Sequence, residues 1–307
     1  MSKFIVVKMK NLLYFIFILS ILFFTILILY FFLFKNTSTF SSNSNVHNTA
    51  GYDLDGDSLK DKVTLIENND SLQVKIQTFE NEYLLKSSKN DTNLFTKCSY
   101  YKIKTHFVDL TRDNLPELIL TGMKDNHPIC YIFKWTADNF INIYTSTNNI
   151  FGIINSNNSK MPIEIDTNLS DKASVINSNI FLADTTKDLC MSKLKVPALN
   201  SIEKFIDLIE YPYEIIDTPD IFADFISSSE LSLLWNLNKS STRYTFVSGY
   251  FYDIDWDNSG TPSTILWSLT FKKSNIIDDS SPEEEFILNV QTDLNELSEY
   301  KISSIQK

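Results

Sequence analysis

Glycine and histidine are scarce in this chain, which limits the catalytic sites it can form. The 307 residues include six glycines and three histidines. Loops that hold phosphates need glycine because the backbone must approach the ligand closely, and neither a Gly-x-Ser-x-Gly elbow nor a His-Glu-x-x-His helix is present. His47 lies in a polar linker, His106 precedes an acidic loop and His127 lies in a predicted turn, so none is placed beside a nucleophile. The sequence therefore favours a non-enzymatic protein.

Cysteine is also rare, which excludes a disulfide framework. Cys98, Cys130 and Cys190 are odd in number and widely spaced, so they cannot all pair within one chain. Cys98 and Cys130 could pair if adjacent strands bring them together, and three buried thiols are the alternative. No CxxC motif and no Cys/His cluster with zinc spacing is present.

Basic residues are outnumbered by acidic ones. The chain has 27 Lys and Arg against 38 Asp and Glu, and because the only charges in residues 1–35 are four lysines, the remainder has a net charge of −15. Such a chain lacks the clustered basic surface that phosphate contacts require, so nucleic acid is not an expected partner. The acidic balance suits divalent cations or simply solubility.

One long segment, from Leu12 to Phe34, lacks charge and proline altogether. A run of about 20 apolar residues is long enough to cross the hydrocarbon core as a helix. The sequence therefore predicts a cytoplasmic tail at 1–10, a transmembrane signal anchor at 11–35 with the lipid bilayer as its partner, and a flexible polar tether at 36–50.

The orientation follows from the lysines around this segment. Three lysines precede it and one follows it, which places the N-terminus in the cytoplasm and the C-terminus outside the plasma membrane. A cleaved signal peptide is the alternative, but its apolar core spans ~7–15 residues before a small-residue cleavage site, and here the core is longer and no such site follows.

The strongest chemical motif is an acidic loop that begins after Gly51. Carboxylates occur at its positions 1, 3, 5 and 9, as Asp53, Asp55, Asp57 and Asp61. Gly56 allows the tight turn that would direct them inward. Four carboxylates this close repel one another, so either a hard divalent cation such as Ca²⁺ lies among them, which is our prediction, or the loop opens into solvent. The loop is not an EF-hand, because Thr64 stands at position 12 and a β-rich segment follows.

A second passage repeats this pattern 56 residues later. Oxygen-bearing side chains recur at the same positions, as Asp109, Thr111, Asp113 and Glu117. Arg112 replaces the glycine, so this copy is held either by an ion or by pairing of Arg112. A period of this size is typical of a repeated β unit such as a propeller blade.

The two passages resemble the calcium-loop repeats of the FG-GAP or VCBS type. The resemblance covers residues 51 to about 150. It implies β-propeller blades with Ca²⁺ ligands at Asp53, Asp55, Asp57 and Asp61, and weaker ligands at Asp109, Thr111, Asp113 and Glu117. Two blades do not close a propeller, which typically has 4–8, so a truncated array is expected.

A third acidic stretch contains Asp253, Asp255 and Asp257. Its alternation with apolar residues, followed by Asn258-Ser259-Gly260, favours a β-hairpin over a metal loop.

The last third of the chain predicts helices followed by strands. Ile202, Phe205, Ile206 and Ile209 recur at helical spacing before a proline, and further helices are predicted over 219–226 and 229–235. Four β-rich segments follow. This order resembles the NTF2-like (cystatin-like) fold.

The predicted fold class is therefore a single N-terminal transmembrane helix, a mainly β, truncated propeller-like domain at 51–195, and a smaller α+β NTF2-like domain at 196–307. The predicted function is a membrane-anchored extracytoplasmic binding or assembly protein with a Ca²⁺-stabilised repeat module, whose partner is a cell-envelope protein or polysaccharide. The alternatives are an enzyme or small-ligand binder with a pocket in the C-terminal domain, and a spacer whose metal loop is vestigial.

Overall fold

Antiparallel β-structure dominates the part of the chain that the structure describes. The computed structural model describes residues 49–169, 176–182, 186–188, 195–213, 218–278 and 280–307. These residues contain seventeen strands in three sheets and two helices. The mainly β character expected from the sequence is therefore observed.

The first sheet has five strands, all antiparallel. Its order is β1-β2-β3-β4, and β5 pairs with β3. The strands are β1 Thr49–Tyr52, β2 Asp61–Asn68, β3 Ser71–Gln77, β4 Glu82–Leu84 and β5 Phe95–Thr96. The first acidic loop connects β1 to β2.

The second sheet is a four-stranded antiparallel meander. Its strands are β6 Lys104–Val108, β7 Glu117–Lys124, β8 His127–Thr136 and β9 Asn139–Ser146. Asp125 and Asn126 both adopt positive φ between β7 and β8, as a two-residue type I′ hairpin turn requires. The second acidic loop connects β6 to β7. Each acidic loop therefore connects the first two strands of its own sheet.

The third sheet has eight strands in the order β13-β12-β11-β10-β14-β15-β16-β17. They are β10 Ile150–Ile154, β11 Ile163–Thr167, β12 Asn177–Phe181, β13 Thr186–Asp188, β14 Thr242–Trp256, β15 Pro262–Asn275, β16 Glu284–Leu294 and β17 Tyr300–Gln306. Strands β10 and β14 are parallel, and the other neighbours are antiparallel. The sheet therefore contains strands from both of the domains that the sequence predicted, 51–195 and 196–307.

The second sheet lies between the other two. One face packs on the first sheet, with Leu118 and Phe133 against Val74 and Ile76. Alternate residues of the same strands, such as Ile132, pack on the third sheet. Seven of the eight residues of β7 are buried, because both faces of this strand are covered.

Two helices cover the far face of the third sheet. They are α1, Leu199–Glu210, and α2, Ser228–Trp235. The four α1 residues predicted from helical spacing are buried, together with Leu208, and they join the core formed by Phe251, Trp267 and Leu269. Ser227 and Glu230 form a capping box at the start of α2.

The predicted helix over 219–226 is wrong. Phe222 forms a parallel bridge with Ile302 of β17, and the backbones of Ile221 and Ala223 exchange hydrogen bonds with Ile302 at 2.7 and 2.8 Å. This segment therefore satisfies the open edge of β17, which would otherwise expose unpaired backbone groups.

The predicted fold class is also wrong. A separate, smaller α+β domain is not formed, since β14–β17 continue the sheet of β10–β13. Helices of 12 and 8 residues are the longest that the described residues form, and none is long and apolar enough to cross a membrane. The predicted tail, anchor (11–35) and most of the tether lie outside the described residues. This finding does not support the predicted single-pass anchor or the plasma-membrane localisation, whereas the bilayer contact at 11–35 stays a prediction.

Candidate metal centre

The first acidic loop is ordered by hydrogen bonds from its own backbone to its carboxylates. Asp53 accepts from the N–H groups of Gly56 and Ser58 at 2.7 and 2.8 Å, and Asp57 accepts from Leu59 at 2.7 Å. Gly56 and Ser58 adopt positive φ. The chain therefore turns tightly around Asp53, as predicted from the position of Gly56.

Asp61 closes this loop from the start of β2. Its side chain is buried, and its Oδ2 accepts from the N–H of Leu54 at 2.6 Å. Its Oδ1 is buried without a hydrogen-bond partner among the residues that the structure describes. A buried carboxylate oxygen in this state is costly unless a cation compensates it.

Three carboxylates meet at this point. Oxygens of Asp53, Asp55 and Asp61 lie within 4.8 Å of one another. Burial is the main reason why the pKa of Asp61 is raised to about 6. The charges of Asp55, Asp57 and Asp53 contribute to this rise, and the hydrogen bond from Leu54 opposes it. A set of oxygen donors with accumulated negative charge is what Ca²⁺ prefers. Asp57, the fourth predicted ligand, lies on the exposed side of the loop, outside this group.

The second acidic loop has the same backbone plan. Asp109 accepts from the N–H groups of Asp113 and Asn114 at 3.2 and 3.1 Å. Glu117 closes the loop by accepting from the N–H of Leu110 at 2.6 Å, as Asp61 does from Leu54. Arg112 and Asn114 adopt positive φ. The repeat read from the sequence therefore corresponds to a repeated local geometry.

The two loops differ in the charge that faces their acidic side chains. In the second loop, Lys134 Nζ lies 3.0 Å from Asp113 Oδ2 and 4.0 Å from Glu117 Oε1. The same ammonium donates to Thr111 Oγ1 at 3.0 Å, and Thr111 donates onward to Glu117 at 2.9 Å. A side-chain cation thus contacts three of the four predicted ligand residues.

Strand register explains why the first loop has no equivalent cation. Leu118 pairs with Phe133, so Glu117 and Lys134 are the next residues along β7 and β8. In the first sheet Lys62 pairs with Gln77, so Asp61 and Thr78 are the corresponding residues. Threonine therefore stands where the second loop has lysine. The equivalence of Thr78 and Lys134 cannot be seen in the sequence, because it follows only from the strand register.

Arg112 does not pair with the acidic side chains of its loop. Its Nη2 instead contacts the carbonyl oxygens of Asn155, Asn158 and Lys160 at 2.8, 2.7 and 2.9 Å. The counter-charge that the sequence predicted from Arg112 is supplied by Lys134. Arg112 ties the second loop to the segment after β10.

The third acidic stretch forms a hairpin end, as predicted. Asp253 is buried, and it accepts from the N–H of Asn155 at 2.8 Å and from Trp256 Nε1 at 2.6 Å. Asp257 accepts from the N–H of Thr261 at 2.8 Å across the turn. Asp253 and Asp257 accept hydrogen bonds from different donors and do not form a common metal site.

The histidines and cysteines do not assemble into a catalytic group within the described residues. His106 is buried and stacks on Tyr250 with 3.9 Å between ring centroids. Burial, with a smaller contribution from the charge of Lys104, lowers the pKa of His106 to about 3. Cys98 and Cys130 are free thiols. His47 and Cys190 lie outside the described residues.

Comparison with protein-family models, with curated proteins and with solved structures gives no match for this chain. The resemblance to FG-GAP or VCBS repeats therefore stays a prediction.

Proposed function

We propose that the stacked sheets form a non-enzymatic binding or assembly module whose first acidic loop binds Ca²⁺. The observation that supports this most is Asp61 Oδ1, a buried carboxylate oxygen without a hydrogen-bond partner beside Asp53 and Asp55. An ion there would compensate a charge that the described part of the loop leaves uncompensated. It would also fix the connection between β1 and β2.

In the second loop, Lys134 takes the place of an ion. Its ammonium supplies the positive charge that Asp113 and Glu117 require. The predicted metal role of Asp109, Thr111, Asp113 and Glu117 is therefore not part of our proposal. We expect one calcium site per chain, with a polysaccharide or protein as the partner of the module and no nucleic acid.

Thermal unfolding of the full chain in CaCl₂ and in EGTA tests the site. A ligand present at 100 times its dissociation constant adds about 2.7 kcal/mol to the free energy of unfolding, so Ca²⁺ should raise the melting temperature by several degrees. Asp61→Asn keeps an acceptor for Leu54 but removes the charge, and it should abolish the shift.

Asp70→Asn is the matched control. Asp70 is exposed in the turn between β2 and β3, and its substitution removes one charge from the same sheet without touching the loop. This variant should keep the full calcium shift. An equal calcium response in Asp61→Asn and the unmodified chain would disprove the site.

A further inference from the structure

The two acidic loops contact each other, although they belong to different sheets. A β-carbon placed on Gly56 would lie 3.4 Å from Cδ2 of Leu115 and 3.6 Å from its Cδ1. These are ordinary van der Waals distances, so the Leu115 side chain covers the backbone of the first loop at Gly56. Gly56 follows Asp55, which is one of the three grouped carboxylates. The second loop therefore supports the turn that presents Asp55.

The first loop is also held against the second sheet where it begins. Tyr52, the last residue of β1, stacks its ring on Phe107 of β6 with 4.2 Å between the ring centroids. Leu54 lies between the ligands Asp53 and Asp55, and its side chain is fully buried in the core that the first two sheets share. The ligand segment is thus positioned from both ends by side chains outside its own loop.

The position of Leu115 is fixed by the second loop itself. The N–H of Leu115 donates to Asp113 Oδ1 at 3.0 Å, and the other oxygen of Asp113 lies 3.0 Å from Lys134 Nζ. Because a lysine supplies the cation of this network, the network forms without calcium. The second loop can therefore act as a fixed support for the first.

The contacts continue from the second loop to the third sheet. Arg112 binds three carbonyl oxygens of the β10–β11 connection, within residues 155–160. From the end of this segment, Lys160 Nζ donates to the carbonyl oxygen of Gly260 at 2.7 Å, in the turn between β14 and β15. A chain of direct contacts thus runs from the first acidic loop, through the second, to two connections of the third sheet.

We propose that Leu115 is a positioning residue of the calcium site, and that the second loop couples this site to residues 155–160. The proposal rests on the proposed calcium site, for which it names a support that contributes no ligand. Coupling between two binding equilibria is reciprocal. An ion in the first loop therefore stabilises the second loop, and loss of the Leu115 contact weakens binding of the ion.

Amide hydrogen exchange measures this coupling directly. A bound ion suppresses only those local openings that release it, and at 100 times the dissociation constant these openings become about 100-fold rarer. Calcium protects the amides of the second loop only if opening of that loop also disturbs the ion. Protection outside the first loop is therefore the signature of coupling.

Hydrogen–deuterium exchange of the full chain in CaCl₂ and in EGTA provides the test. We expect calcium to slow exchange in the first loop, 53–61, and also in 109–116 and 155–160. The turn at 125–126 lies at the far end of β7 from the second loop, so its exchange should be the same in both buffers.

Leu115→Ala removes the contact with Gly56 and leaves every carboxylate in place. Calorimetric titration should show calcium binding weakened several-fold, and calcium-dependent protection should be confined to 53–61. Leu297→Ala is the matched control, because Leu297 is an exposed leucine in the turn between β16 and β17. This variant should bind calcium like the unmodified chain and keep the full protection pattern.

Arg112→Asn tests the step to the third sheet. Asparagine readily adopts the positive φ observed at Arg112, so this change removes the guanidinium and keeps the turn. Calcium should still protect 53–61 and 109–116, whereas the protection of 155–160 should be lost.

The outcomes separate the coupling from the calcium site. A calcium shift in the melting temperature with protection confined to 53–61 in the unmodified chain would refute only the coupling. Equal calcium affinity of Leu115→Ala and the unmodified chain would refute the positioning role of Leu115. Absence of both the melting shift and the protection at 53–61 would refute the calcium site, and the coupling with it.

Discussion

At the scale of single residues, the least expected feature is a pair of carboxylates buried in β11. Glu164 and Asp166 are both fully buried on one face of this strand. Asp166 accepts from Tyr144 at 2.8 Å and from the amides of Asn148 and Asn177 at 2.7 Å. Three neutral donors thus satisfy the oxygens of Asp166. Glu164 accepts from Asn179 at 2.8 Å, and its Oε1 is buried without a partner among the described residues, which favours the protonated form of Glu164.

The stability of the protein should therefore depend on the proton held by Glu164. Burial, and then the charge of Asp166, raise the pKa of Glu164 well above its usual 4.5. The folded chain retains a proton that the unfolded chain releases above pH 4.5, so this group stabilises the fold at low pH and the contribution is lost as pH rises. The slope is at most about 1.4 kcal/mol per pH unit.

Glu164→Gln tests this dependence, because glutamine mimics the protonated acid at every pH. Urea unfolding should show the variant to be more stable than the unmodified chain at pH 8, with the difference shrinking toward pH 5. Glu82→Gln, on the surface, should show no such trend. Equal stability of Glu164→Gln and the unmodified chain at both pH values would show that Glu164 is not protonated in the fold.

At the scale of elements, the two acidic loops share one backbone design but differ in the charges around their carboxylates. Each loop is closed by a carboxylate that accepts from the residue after the first aspartate. The partner strands differ, with Thr78 just after β3 and Lys134 in β8. The difference can be tested by exchanging one residue.

Lys134→Thr should turn the second loop into a calcium-dependent one. Without Ca²⁺ the variant should lose about 1–3 kcal/mol, because Glu117 and Asp113 lose their counter-charge. Calorimetric titration should then find two calcium sites per chain instead of one. Lys75→Thr, which breaks a surface pair with Glu82, should cost less than about 1 kcal/mol and add no site. An unchanged stoichiometry in Lys134→Thr would contradict the equivalence of the loops.

Elements with local signals could be predicted from the sequence, and those that depend on distant pairing could not. Period-two alternation predicted the strand at 71–79 and the hairpin at 129–144, where β3, β8 and β9 are found. The parallel pairing of β10 with β14 joins residues about a hundred positions apart, and no local pattern specifies it. For the same reason the spacing of the aspartates predicts the acidic loop, whereas the position of Lys134 beside the second loop follows only from the strand register.

At the scale of the whole molecule, the central position of the second sheet should make unfolding cooperative. Phe133 is fully buried against the first sheet, and its neighbour Ile132 is buried against the third. The first and third sheets therefore both pack on the second sheet, and unfolding of either one would expose a buried face of the second sheet to water. Calorimetry of the full chain should show residues 49–307 unfolding in a single transition.

Phe133→Ala provides the decisive comparison. Removing this ring should cost about 3–5 kcal/mol, because a cavity forms between the first two sheets. If the sheets are coupled, the transition moves to lower temperature but stays single, and circular dichroism and tryptophan fluorescence follow the same curve. Ile141→Ala, on the half-exposed face of β9, should change little. A second transition in Phe133→Ala, with the third sheet still folded, would mean that the stacked sheets are independent units and that calcium in the first loop stabilises only its own sheet.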